Sequence, residues 1–523
     1  MNDKLFTVLV LAGALIAPAL QAQATEPTAT PPPAQAQTLS ALDVVTAAAR
    51  NSPSLHIALL QETQANYAVE AEDALYVPVF DANTSYTRTR SPSARGGATS
   101  VTTTDTYDLG AGITKTFALG TTLSATVDGK RSVQSNPASG LAGAAAVTAP
   151  QYNLTGKLAL TQPLLRGYGT DLGLATLRQA KLTRTAAVLA TRQAASQILH
   201  DALTNYWELW YADEAVRINI ASRDLSKTQQ EQATEQVKSG ALAPADAYQY
   251  ATALAQLEQQ VVSAAMTRRQ KSLTLAQAMG DENAVSADLS ATDAPMLVLP
   301  IDDARQAVND AITNSYSLKQ QEAQIAIAKD QARIAGDPLR PRLDLDAYVA
   351  SAGLGNGQIS PATDQFGQGQ ALSAHVGLTY EMPLTDTRRS AQIAGALLGA
   401  HIAEKQLEAL RFQLKSDVQV AIVDIESAGK GVELAQRTEQ VAQAQVDAEK
   451  SRFMSGTALA IEVAQAVDSL RRAQLSVQRA RVDLAEAELD LLNLRGRLLE
   501  RYTDVLKRFA PSTIAIDGAT GPM

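Results

Sequence analysis

The sequence predicts a mainly α-helical chain with a membrane-type β region, assembled from two related halves. Three observations predict it. Near the C-terminus, Val463, Leu470, Val477, Leu484, Leu491 and Leu498 recur at intervals of seven, the spacing of a coiled-coil seam. The stretch from Ala41 to Asp81 aligns without gaps to Ala304–Asp344, 263 residues further on. Each half also holds extended segments of alternating character, inserted between helices at prolines.

The first half opens with a short helix at about 40–50, ending at Asn51. Ser52 is read as the cap of a second helix whose first residue is Pro53, a position where no N–H is needed. That helix runs to about Tyr76 and is stopped by Pro78, because proline disfavours a helical residue before it. The second half repeats the plan. Asn314-Ser315-Tyr316-Ser317-Leu318 falls on Asn51-Ser52-Pro53-Ser54-Leu55, and Pro341 falls on Pro78.

Beyond these prolines the pattern changes period. Phe80, Ala82, Thr84 and Tyr86 share one face of a strand, and Asp81, Asn83, Ser85 and Thr87 the other. Later, Val376, Leu378, Tyr380 and Met382 make an apolar face opposite His375, Gly377, Thr379 and Glu381. A barrel between lipid and a wet lumen needs that division. A half-buried sheet in a soluble domain alternates too, and strand patterning by itself does not decide. Polar stretches at Ser91–Thr104 and Gly353–Gln370 read as loops. Further strand-like segments at about 105–117 and 120–133 have no counterpart in the second half, so an added hairpin and a wider sheet are both open. Strands at 151–162 and up to 382 return to helix at Pro163 and Pro383.

The helix after Pro383 is predicted from about Asp386 to Met454, roughly 100 Å at 1.5 Å per residue. A second line, Ala466, Ala473, Ala480, Ala487 and Leu494, completes the seam, while Leu475, Val482 and Leu489 form another well round the same helix. Two seams require a neighbour on each side, and helices served on both sides can close a ring. Arg268 and Lys271 interrupt the matching line in the first half.

The ends and the composition bound the class. Lys4, the apolar run Leu5–Leu20 and Ala22-Gln23-Ala24 read as a cleaved signal over 1–24. A Pro-rich leader at 25–38 and a tail at 506–523 are expected to be disordered. Two repeats fill the rest, at 39–298 (strand region about 79–162) and 299–505 (strand region about 342–382). Among 523 residues there is no cysteine, aromatics make up 4%, and the net charge is −9. The acidic balance argues against nucleic acid, whose phosphates need a basic surface. No P-loop, dinucleotide fingerprint or nucleophile elbow is present. His401 and Glu404 share a helix face, but two ligands do not make a metal site. No enzyme, cofactor or metal is predicted.

Two segments carry a resemblance: Gln162-Pro163-Leu164-Leu165-Arg166-Gly167-Tyr168-Gly169 at a strand-to-helix junction, and Arg452-Phe453-Met454-Ser455-Gly456 at a helix break. With the duplicated order of elements, the mature chain resembles the TolC family of outer-membrane efflux proteins. The resemblance implies a TolC-like trimeric α-barrel plus an outer-membrane β-barrel, reaching into the periplasm. It implies a homotrimer in outer-membrane lipid, working with a periplasmic adaptor and an inner-membrane transporter as an exit duct for efflux or secretion. Ser239-Gly240 and Ser455-Gly456 would then be hairpin tips. Glu462 matches a family acid at the periplasmic constriction, the position one turn on is Gln465, and Asp246 matches a gate-linking acid. The family's partner tyrosine and arginine are replaced by Phe453 and Ala458. Asp246 also suits the N-terminus of a helix that starts at Pro244. A periplasmic coiled-coil scaffold or adaptor without a pore explains the helices and signal, but not the paired strand regions.

Overall fold

The computed structural model describes residues 36–95, 98–136, 146–240, 242–295, 303–382, 384, 387–455 and 457–502. The expected signal and tail lie outside them. The leader does not extend as far as expected: Ala36–Leu39 is strand β1, paired in parallel with β7 at Asp288–Ala291.

Two helices follow, α1 (Ala41–Asn51) and α2 (Pro53–Ala74). Ser40 and Asp43 form a reciprocal cap on α1, the arrangement that satisfies two otherwise orphaned amides. Ser52 occupies the cap position of α2 but makes no side-chain cap bond, contrary to expectation. Pro53 has already removed one amide from the turn. The chain then enters β2 (Val79–Arg95), β3 (Ala98–Thr116), β4 (Thr122–Asn136), the two-residue β5 (Ala146–Val147) and β6 (Gln151–Pro163).

A one-turn helix α3 (Thr170–Gly173) precedes α4 (Ala175–Lys238) and α5 (Pro244–Met279). The half closes with α6 (Glu282–Ser286) and β7. The second half starts with α7 (Ala304–Asn314) and α8 (Tyr316–Gly336). Next come β8 (Arg342–Asn356), α9 (Ser360–Gly367) and β9 (Ala371–Glu381). It ends with α10 (Thr387–Met454), α11 (Ala460–Leu494) and α12 (Leu498–Arg501). Both α1 with α7 and the first residues of β2 and β8 are offset by 263, the shift between the aligned sequence segments.

Four expectations about the strand region change. Ser91–Thr104 is not a loop, since Ser91 pairs with Thr102 and the β2–β3 ladder continues to Arg95 and Ala98. The second polar stretch continues β8 to Asn356 and then forms α9. Helix α8 ends before Pro341, at Gly336, where Pro338 in a 3₁₀ turn has already broken it. Pro163 is the last residue of β6, paired with Asp344, rather than the start of a helix.

The six long strands make one antiparallel sheet in the order β2-β3-β4-β6-β8-β9. The segments without a counterpart are therefore central members that widen the sheet. Register carries one face across all six. Tyr86 lies opposite Tyr107, Val127 opposite Ala111, Leu158 opposite Ala125 and Val349, and Val376 opposite Ala347. Asp81, Asp108, Lys130, Lys157, Asp346 and His375 alternate onto the other face.

The Gln162–Gly169 segment holds the bottom of this sheet. A Cβ on Gly173 would fall 2.0 Å from the Ala118 carbonyl, and one on Gly120 2.6 Å from the Gly167 carbonyl. The β3–β4 turn and the segment leading to α4 therefore touch backbone to backbone. Asp337 accepts from the Gly167 amide at 2.9 Å, which ties in the second half.

The helices have ribbon-like cores. Both seams of α11 are used within the chain. Ala466, Leu470 and Ala473 pack with Ala442 and Val446 of α10, and Leu484, Ala487 and Leu491 with Leu414 and Val418. Leu489 of the second line instead meets Leu199 and Leu203 of α4. The second seam is thus spent inside the subunit, and closing a ring needs other faces. Arg268 and Lys271, which break the pattern in α5, are ion-paired. Arg268 bonds Asp213 at 2.5 Å and Asp288 at 2.8 Å, and Lys271 bonds Glu208 at 3.0 Å.

Glu208 also takes Arg479 at 2.5 Å, and Glu486 takes the same guanidinium at 3.1 Å. Burial opposes both charges. Bonds from Arg479 and Lys271 nevertheless hold Glu208 below the usual carboxylate range. Burial, together with the nearby Glu208 charge, pushes Glu486 up to about 7. Below about pH 4.5 both folded and unfolded chains hold this proton. Between there and 7 only the folded chain does, so stability falls as pH rises through that window. Glu486→Gln keeps the hydrogen bond and removes the charge. It is expected to raise the thermal midpoint by a few degrees at pH 8 and leave it unchanged at pH 4.5, as read by circular dichroism.

Candidate functional site

The end of the helical hairpins, farthest from the sheet, is the candidate site. Helix α4 stops at Lys238 because Gly240 takes φ +72°, a conformation that costs other residues a Cβ clash. Ala243 then leads into α5, with Pro244 at its first position. Asp246 is the third residue of α5; its side chain lies outside the described set, as do Gly456 and Pro383. Pro78 immediately precedes β2, and Pro341 immediately precedes β8.

The second hairpin tip turns between α10 and α11. Ser455 Oγ and Thr457 Oγ1 both bond the Arg452 carbonyl at 3.0 Å. Arg452 itself pairs with Glu449 at 2.9 Å. Glu462 is the third residue of α11, and its Oε2 accepts from the Leu459 amide at 3.0 Å. This is half of a capping box, since leucine has no side-chain acceptor to return the bond. The carboxylate proposed for a constriction is thus bound to its own helix end, where the helix dipole favours a negative charge.

Gln465, one turn on, is exposed. With Gln249, Gln256, Gln260, Asp468 and Arg472 it lines a groove of about 590 Å³ between α5 and α11. Burial works against the Asp468 charge, but Arg471 and Arg472 hold its carboxyl below the ordinary range. Arg471 also reaches Asn219 of α4 at 3.2 Å, fixing the groove wall. Glu462 lies one turn before Gln465 on the same side of α11, but the groove is walled by Gln465 and not by Glu462.

Sequence reasoning identified Phe453 only as a replacement. Its ring stands edge-on to Tyr250 with centroids 6.1 Å apart. Tyr250 is buried, together with Ala233 and the partly buried Leu242. An apolar clasp therefore joins α4, α5 and α10 near the tip. The signal available in the sequence was Tyr250 itself, an aromatic six residues after Pro244 in a chain poor in aromatics. His401 lies 3.2 Å from Glu404, which also binds Lys329 at 2.7 Å, an exposed ion-pair arrangement.

Among the described residues, no helix is long and apolar enough to cross a membrane. Residues 307–497 match the family described as outer membrane efflux protein. No curated protein sequence matches the chain. Solved structures share the fold of most of it. The CmeC outer membrane channel of Campylobacter jejuni is 14% identical, with a TM-score of 0.65 and 89% of each chain covered. The outer membrane protein VceC of Vibrio cholerae is 14% identical, TM-score 0.62, covering 87% of this chain and 95% of its own. The open state of the MtrE outer membrane channel of Neisseria gonorrhoeae is 16% identical, TM-score 0.58, covering 88% and 89%. The chain carries an outer membrane efflux protein domain and shares the fold of TolC-family channels, which are ducts rather than enzymes.

The cap and the charge of Glu462 can be separated. Glu462→Gln retains an acceptor for the Leu459 amide and removes the charge. In single-channel recordings it is expected to reduce cation preference, and unchanged selectivity would take Glu462 out of the constriction. Glu462→Ala is expected to loosen the tip as well, by about 1 kcal/mol, seen as faster amide exchange at 457–462.

Proposed function

We propose that this chain, whose residues 307–497 form an outer membrane efflux protein domain, is one of three identical subunits of an outer-membrane exit duct. One observation carries the reading: the subunit is a curtain whose two edges are unfinished from top to bottom. In the sheet, β2 and β9 are the ends of the strand order. In the helical part, α2 leads into β2 and α10 follows β9. Helix α10 leaves Phe412, Val420, Val423, Leu434 and Val441 exposed. On the other edge, Ile57, Leu60 and Tyr67 of α2 and Val262 and Met266 of α5 are exposed.

An edge that fits the opposite edge of the next copy makes a head-to-tail ring if the rotation closes. Six alternating strands put β9 antiparallel to a neighbour's β2, so the ring can close without a parallel pair. The sequence resemblance implies three copies, which gives eighteen strands, inside the range known for bacterial barrels. The apolar face would meet lipid and the face with Asp81, Asp108 and Asp346 would line the lumen. The two-repeat plan supports the same picture, with each repeat supplying an α-helical pair below its strands. A periplasmic adaptor and an inner-membrane transporter would dock at the helical tip, near the groove that holds Gln465. Substrate would pass without chemistry.

The purified full-length chain is expected to run as a heat-modifiable trimer, to conduct ions across planar bilayers, and to give eighteen strands in a density map. A water-soluble monomer without conductance would instead support the scaffold reading. Val441→Asp is expected to shift the trimer toward monomer in native mass spectrometry while the helical circular dichroism is kept.

A further inference from the structure

We infer that the groove alongside α9 on the apolar face of the sheet binds the phosphorylated glycolipid of the outer leaflet, with an acyl chain beside the helix and a phosphate on Arg131. This rests on the reading of that face as lipid-facing.

Helix α9 is seated on the apolar side. A Cβ on Gly353 would fall 1.9 Å from the Ala362 carbonyl, and one on Gly156 2.7 Å from the Phe366 ring. Both glycines belong to the apolar face, so the strands leave a bare strip where the helix lies. Ser351 donates to the Phe366 carbonyl at 3.0 Å, and Gln365 accepts from the Leu354 amide at 3.1 Å. That amide lies past the end of the β8–β9 ladder, which stops at Ala352. Helix α9 therefore completes the sheet as well as covering it.

Beside the helix is a groove of about 350 Å³ walled by Leu109, Leu154 and Ile359, within the size range of small-molecule sites. Leu109 is 66% exposed and Ile359 59%, an apolar channel open to its surroundings. At its end, Arg131 lies 5.6 Å from the Tyr107 ring and 6.0 Å from the Tyr152 ring, and donates to the Tyr152 hydroxyl at 3.3 Å. No carboxylate among the described residues pairs with Arg131. The end of the sheet that holds Arg131 is the one away from the helices, so it reaches the outer surface. Tyrosines mark the membrane interface there, and a charge on the lipid side is tolerated only near that interface. Arg88 and Arg90 lie on the same face of β2, with Arg88 matched by Asp105 at 2.9 Å. An acyl channel ending in unmatched positive charge complements a lipid that joins acyl chains to phosphate.

The test titrates bisphosphorylated lipid A into the detergent-solubilised trimer and counts bound copies by native mass spectrometry. Parallel arms use lipid A stripped of phosphate and inorganic phosphate alone. Wild type is expected to bind one lipid A per subunit. Stripped lipid, and lipid A on Arg131→Ala, should bind roughly tenfold more weakly. Ile359→Ser, at an exposed position, should also weaken binding, whereas Lys157→Ala, on the polar face and away from the groove, should not. Equal binding by wild type and Arg131→Ala in a trimer that still conducts would overturn the lipid site alone. So would full displacement of lipid A by inorganic phosphate. Loss of both trimer and conductance in wild type would overturn the channel reading beneath it.

Discussion

A strand edge cannot stay open in hydrocarbon. Among the described strands, β2 and β9 end the strand order and have no neighbouring strand on their outer sides, and lipid offers no hydrogen-bond partner. In the channel we propose, that constraint would make the six-stranded sheet with its apolar face one segment of a closed wall. It also explains why the unfinished edges of sheet and helices coincide. A subunit that solved only one of them would leave the other exposed.

The helical part answers to a different limit. A helix of 68 residues cannot be wrapped by a globular core. Helix α11 instead spends one seam on α10 and the other on α4, which yields a layer in which α5 lies beyond α4 and α10 beyond α11. Such an extended layer buries less than a globular core, and the polar bonds between helices matter correspondingly. Arg268, Arg471 and Arg479 each link helices across the layer, and the strain of crowding carboxylates around Arg479 falls on Glu486.

Between the two regimes lies a short transition held by backbone contact. Gly120, Gly167 and Gly173 let the β3–β4 turn and the approach to α4 pack without side chains between them. The Gln162–Gly169 motif therefore has a structural reason independent of any role in transport. The glycines under α9 are a second use of the same device, on the opposite end of the sheet.

Periodicity made much of this legible. The seven-residue lines fixed α11 and both of its packing faces, since a side chain's azimuth on a helix depends only on spacing. The 263-residue shift placed α7 and β8, and alternation separated the two faces of each strand. Single residues whose role depends on a neighbour far along the chain were not legible. Arg268 looked like a defect until Asp213 and Asp288 stood beside it. Glu462 is read as a pore acid from its position, and only the structure shows that its carboxylate also caps its own helix at the Leu459 amide. The polar stretch at 353–370 looked like a loop because its helix rests partly on Gly156 of β6, some two hundred residues earlier, as well as on Gly353 of its own strand. Local spacing sets which face a residue occupies. Only the tertiary structure decides what that face meets, because strand order and helix contacts join segments that the chain itself keeps apart.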